Sequence, residues 1–167
     1  MALPSWRERL FTDHSTIVWP FGATCCQHGP SWKVNLDHPA SFDQQRLGEL
    51  FRSREHWKMV ADLGHTVVTA GFGSGANLTV TSRTSDGQTI IAYIPNGNAA
   101  SLTVDMSKIT SGILQANGWW YNPASGSARF IGSYASSGTR SFTPPDSNDW
   151  VLVIDDASAS LPAPGNP

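Results

Sequence analysis

The chain has 167 residues and a formal net charge of -2, with 11 Lys and Arg set against 13 Asp and Glu. That length suits one domain able to bury roughly 70% of its unfolded surface, and falls short of the ~250 residues of a closed (β/α)8 barrel. Charged residues are 14% of the chain against a usual ~25%, the scattered Lys and Arg form no basic stripe, and no apolar run approaches the ~18 residues of a membrane span, so neither nucleic acid nor membrane is expected as a partner.

Arg7, Glu8, Arg9, Asp13 and His14 stand where a signal peptide would need an apolar stretch, so no leader is expected in this chain. Ser15 to Phe21 (STIVWPF) has the composition of a short strand ended by Pro20. The cysteines, Cys25 and Cys26, are adjacent, and because a bridge between neighbours strains the peptide joining them, free thiols are expected.

Ser41 with Gln44 three residues on makes a capping-box arrangement, and Phe42, Leu47, Leu50, Phe51 and Arg54 fall near one face. The pattern predicts an amphipathic helix over 41–54, with Trp57 wedged between it and the strands downstream.

From His65 to Asp155 the period becomes two. Strands are predicted at Leu78 to Thr81, Thr89 to Ile94, Leu102 to Met106, Gly118 to Tyr121 and Trp150 to Ile154. Turn signals separate them: Gly73-Ser74-Gly75, Asp86-Gly87, Asn96-Gly97, Asn117-Gly118, Ser125-Gly126, Ser137-Gly138 and Pro144-Pro145. Asp86-Gly87 and Asn96-Gly97 suit hairpin turns in which both central residues take positive φ. Short strands at such spacing predict a mainly β protein, an antiparallel β-sandwich preceded by a helix-containing segment. Ala157 to Pro167 carries no apolar pattern, so a disordered tail is expected.

The run Trp120-Tyr121-Asn122-Pro123-Ala124-Ser125-Gly126, then Phe142-Thr143-Pro144-Pro145 and Asp149-Trp150-Val151-Leu152-Val153-Ile154-Asp155, resembles the C-terminal β-sandwich of apiosidase-like glycoside hydrolases, of the type labelled collagen-binding. The likeness continues upstream through Gly22-Ala23-Thr24 and Trp32 to Asp62, which resembles the end of those enzymes' barrel. It implies a barrel remnant over 1–62, a sandwich over 63–156 and the tail over 157–167. It also implies that the two catalytic carboxylates lie on strands this chain does not contain, and that Gln27, His28 and Trp32 line a sugar cleft.

Glycoside hydrolysis needs two carboxyl groups flanking the scissile bond. Glu8, Glu49 and Glu55 are the glutamates; Glu49 reads as a solvated helix position, and Asp105, Asp149, Asp155 and Asp156 as strand and strand-end residues that serve the backbone. His14, His28, His38, His56 and His65 have no metal-ligand spacing, and Cys25, Cys26 and His28 offer too few converging ligands for zinc, so no metal or other cofactor is expected.

Rings remain the best candidates for ligand contact, because the apolar face of a sugar stacks on an exposed aromatic. Alternation sends Trp119 and Tyr121 to one face of their strand and Trp120 to the other, with at least one face outward. Trp119, Trp120, Tyr121 and Trp150 are therefore candidate carbohydrate-contacting residues, joined by Trp32 and His28 on the cleft that the resemblance implies, although Trp and Tyr equally fill sandwich cores. The expected function is a non-catalytic accessory domain of a polysaccharide-degrading glycoside hydrolase that either stabilises its parent enzyme or touches polysaccharide or oligosaccharide. A small hydrolase of plant polysaccharide and a purely structural or partner-binding module are the alternatives. The apolar helix stripe and the segment around Ile17 to Phe21 predict a homo-oligomer through residues 1–60.

Overall fold

The computed structural model describes residues 39–95 and 101–166. The expected strand at 15–21, the Cys25-Cys26 pair and the Asn96-Gly97 turn lie outside the described residues.

The first element is the helix α1 (Pro39–Arg52). It begins ahead of the predicted cap Ser41, because Pro39 has its φ already set for a helix and needs no partner for a missing N–H. Leu47, Leu50 and Phe51 are buried, whereas Phe42, expected on the same stripe, is 44% exposed. Trp57 does not wedge under the helix. It is 59% exposed and makes a T-shaped contact with His56, because the 3-10 turn His56–Lys58 carries it outward.

The strands are β1 (Met59–Ala61), β2 (Val68–Ala70), β3 (Val80–Thr84), β4 (Thr89–Ile94), β5 (Leu102–Asp105), β6 (Gln115–Tyr121), β7 (Ala128–Ala135), β8 (Thr139–Phe142) and β9 (Trp150–Asp156). They form a six-stranded sheet in the order β1-β3-β4-β9-β6-β7 and a three-stranded sheet in the order β2-β5-β8, with every pairing antiparallel. The predicted mainly β antiparallel sandwich is thus observed.

Between the sheets lies a core of Ile90, Ala92, Ile94, Leu102, Val104, Met106, Ala116, Trp120, Phe142, Leu152 and Ile154. The opposite face of the large sheet is also covered: Leu47, Leu50 and Phe51 of α1 pack on Val80, Ile91, Tyr93, Tyr121, Val151 and Val153. Burial on both faces explains the unbroken apolar runs Thr89-Ile90-Ile91-Ala92-Tyr93-Ile94 and Trp150-Val151-Leu152-Val153-Ile154 in the two central strands, where a one-sided strand would alternate. At the flank where β7 faces β8, Tyr134 meets the edge of Phe142 and Arg140 stacks 3.8 Å over the Tyr134 ring.

The β3–β4 turn departs from the expected form, since only Gly87 takes a positive φ, +76°. A side chain there would collide with Thr110 and with the Lys108 carbonyl, so the close approach as well as the φ calls for glycine. Lys58 bridges Glu55 and Asp86 above this turn, and its hydrogen bond holds the Asp86 carboxyl down at about 2. Ahead of β2, the Asp62 carboxylate accepts from the backbone N–H groups of Thr66, Val67 and Val68 and from the Thr66 hydroxyl, which fixes the crossing into the second sheet.

Residues 157–166 of the expected disordered tail are held in place. After β9, Ala157–Ala159 make a 3-10 turn capped by the Asp156 side chain, and the chain returns toward the end of α1. There the Arg54 guanidinium donates to the Pro162 carbonyl at 3.0 Å, the Gly165 N–H donates to the Ser53 hydroxyl at 3.0 Å, and Gly165 lies against the Tyr121 ring. Composition alone could not foresee this strap, because its anchors come from 108 and 112 residues upstream.

The anchor itself is a buried ion pair. Arg54 and Asp155, with side chains 0% and 3% exposed, meet in a two-pronged contact, Nε to Oδ1 at 2.9 Å and Nη2 to Oδ2 at 2.7 Å. Arg54 also donates to the Ser53 carbonyl, and Thr89 donates its hydroxyl to Asp155. Burial pushes the Asp155 carboxyl up, against the pull of the guanidinium and the hydroxyl.

Candidate functional site

The aromatic strand β6 separates its rings as alternation requires. Ala116 and Trp120 enter the core between the sheets, and Tyr121 enters the core beneath α1, with Trp119 packed at its margin. Trp120 and Tyr121 are buried, so neither ring offers a face to a ligand. The expected outward face is covered by α1 at Tyr121 and opens only toward β7. The Tyr121 hydroxyl donates to the Arg46 carbonyl, and burial pushes its pKa up to about 12.

Trp119 is half-buried and pairs across the strands with Phe130 of β7, ring centroids 4.9 Å apart and edge to face; Phe130 is 49% exposed. This pairing depends on a bulge. Gly118 faces Gly132, yet the next residue Trp119 faces Phe130, so Ile131 is the extra residue and turns into the core between the sheets. Gly132, at φ +136°, supplies the conformation that the bulge requires. Without it Ile131 would oppose Trp119 and no aromatic pair would form.

One pleat along, on the same face, Asn117 pairs with Ser133, whose hydroxyl donates to the Asn117 amide oxygen at 2.7 Å. Two rings and an amide thus share one face of the β6–β7 edge. Phe130 was missed by sequence reading; the available signal was Gly132 inside a strand-like run, a mark of a bulge.

Trp150 is partly buried against the inter-sheet core, edge-on to Trp120 at 6.3 Å, and its indole N–H donates to Asp146 at 2.8 Å. His28 and Trp32 lie outside the described residues, so nothing brings them to this strip.

The described carboxylates are engaged. Asp43 pairs with Arg46 and Glu49 accepts from Gln45; Asp105 and Asp156 cap 3-10 turns, and Asp149 accepts from the Tyr93 hydroxyl at 3.1 Å. His56 contacts the Phe51 carbonyl and His65 stacks on Phe72 at 3.9 Å. Among the described residues no group of three or more His, Cys, Asp or Glu side chains could hold a metal ion, and no helix is long and apolar enough to cross a membrane.

These features define a class: a two-sheet antiparallel sandwich whose larger sheet carries a helix on its outer face and an aromatic pair at its margin. Residues 65–155, more than half of the chain, match the family described as "Putative collagen-binding domain of a collagenase", and the chain belongs to that family. A solved structure described as "Glycoside hydrolase" is similar with a TM-score of 0.65 and 24% identity, over 76% of this chain and 27% of that one. A glycoside hydrolase family 5 structure from Bacteroides vulgatus ATCC 8482 is similar with a TM-score of 0.64 and 23% identity, over 76% of this chain and 26% of that one. At these identities the likeness establishes a shared fold. The chain spans about a quarter of the length of each. No curated protein matches it.

Proposed function

We propose that this chain is a non-catalytic accessory β-sandwich of a polysaccharide-degrading glycoside hydrolase, and that it contacts carbohydrate through Trp119 and Phe130. The fold shared with much longer glycoside hydrolase chains supports the accessory role. The observation that carries the contact is the Trp119–Phe130 pair, which keeps apolar ring surface at a sheet margin beside the Asn117 amide. Stacking beneath a sugar ring needs such a surface, and an amide at its end fixes the ring's orientation. Hydrolysis would need two carboxyl groups free to act as acid and base or nucleophile, and the described ones serve caps, ion pairs and hydroxyl contacts instead. Such a module works where polysaccharide is degraded, outside the cell or in the periplasm.

The test compares the unaltered chain with Trp119→Ala, Phe130→Ala and Trp120→Ala in polysaccharide affinity gels, a reducing-sugar assay and thermal unfolding. No sugar is released. Trp119→Ala and Phe130→Ala weaken binding at least tenfold with small changes in Tm. Trp120→Ala costs about 3–5 kcal/mol of stability, as large-to-small changes in a core do. Turnover abolished by a single Asp or Glu to Ala change would overturn the non-catalytic reading, and binding indifferent to both margin rings would remove the contact.

A further inference from the structure

Resting on that reading, we infer that the strip is a track for an extended, uncharged glycan running parallel to β6 and β7. The strand register determines its direction. Gln115, Asn117 and Trp119 follow one another on the same face of β6, and their partners on β7 are Ala135, Ser133 and Phe130. From Gln115 to Trp119 the track runs roughly 14 Å, about the span of two or three sugar rings, at ~3.4 Å per residue.

Its flank is closed on one side only. The 3-10 turn Ala157–Ala159 lies against β6, and the strap beyond it reaches Ser53 and Tyr121, so a ligand cannot cross the sheet toward β9. On the other side β7 is the outer strand, and among the described residues no strand follows it in the sheet. A chain lying along the strands meets the exposed Ser133 and Phe130; one lying across them meets the strap.

The ligand's charge follows from what faces it. None of the six track residues is charged. Arg129 pairs with Trp120 and so belongs to the opposite face, as does Asp156, which pairs with Ala116. Asp155, opposite Asn117, is neutralised by Arg54 in its buried pair. Arg46 and Glu49 of α1 stand near Tyr121 at the far end, opposite in sign and tied to Asp43 and Gln45. With no cation among the described residues facing the track, uronic acid chains and sulfated glycans gain nothing there and lose solvation. The Asn117 amide N–H groups, with the oxygen already satisfied by Ser133, remain to donate to a neutral hydroxyl or ring oxygen.

The experiment is calorimetric titration of the full chain with neutral β-linked xylo-, manno- and gluco-oligosaccharides of increasing length, and with polygalacturonate and a collagen-type triple-helical peptide. Affinity for at least one neutral series should rise with length to about three residues and then level off, with little change on adding salt. Asn117→Ala should lower it several-fold at unchanged Tm. A preference for polygalacturonate that weakens in salt would overturn the neutral track while leaving a carbohydrate-contacting strip. Full affinity at a single sugar would overturn the track's length in the same way. Binding of the peptide and of no glycan, or of nothing at all, would remove the proposed function together with the track.

Discussion

Arg54→Ala tests whether the ion pair at the end of α1 holds helix, sandwich and strap as one unit. The Arg54 side chain is 0% exposed and donates to Asp155, to the Ser53 carbonyl and to the Pro162 carbonyl, so its loss strands a buried carboxylate and frees the strap at one of its two hydrogen-bonded anchors among the described residues. Removing one member of a buried pair costs about 3–5 kcal/mol, since the other charge stays desolvated without its partner. For a chain of this size that is a fall in Tm of roughly 6–20 °C. Asp155→Ala should cost a similar amount, leaving the guanidinium buried with only its two carbonyl acceptors. The double change Arg54→Met with Asp155→Leu should recover much of the loss, because apolar side chains of similar volume carry no desolvation cost, although the Thr89 hydroxyl is then unpaired. Urea and thermal unfolding measure these values, and a carboxypeptidase digest should trim the Arg54→Ala strap faster than the native one. A loss under about 1 kcal/mol for Arg54→Ala, or an unchanged digest, would refute the clasp, for it would mean that the pair only breaks even against water.

Asp86 is held at about 2 by Lys58, below the ordinary 3.8, so its contribution is full above that ordinary value and disappears as pH falls through about 2. Asp86→Asn should therefore lower Tm slightly near neutral pH, with the gap closing in acid; a gap that persists at low pH would show that Lys58 is not the cause. The exposed Phe42, Trp57 and Val60 bear on the expected assembly through residues 1–60. Light scattering should report a homodimer or larger, and Trp57→Ser with Val60→Ser should weaken it; an 18.0 kDa monomer at high concentration refutes the expectation.

The local rules legible in the sequence concern single segments. The flanking turn residues gave Thr89 to Ile94 with the observed bounds of β4, although its run is buried on both faces and has no period of two, and the alternation of Trp119, Trp120 and Tyr121 about their strand holds. The closing motif gave the kind of sandwich. Such signals are local because hydrogen-bond geometry and side-chain period act over a few residues. Which face of β6 is covered, by contrast, depends on where α1 lands. That the tail is a strap depends on Ser53 and Arg54, and the aromatic pair depends on a bulge that slides Phe130 opposite Trp119. These outcomes belong to contacts between residues far apart in the chain, whose partners no window of sequence contains. They are settled only when the strands are in register and the helix has been laid upon them.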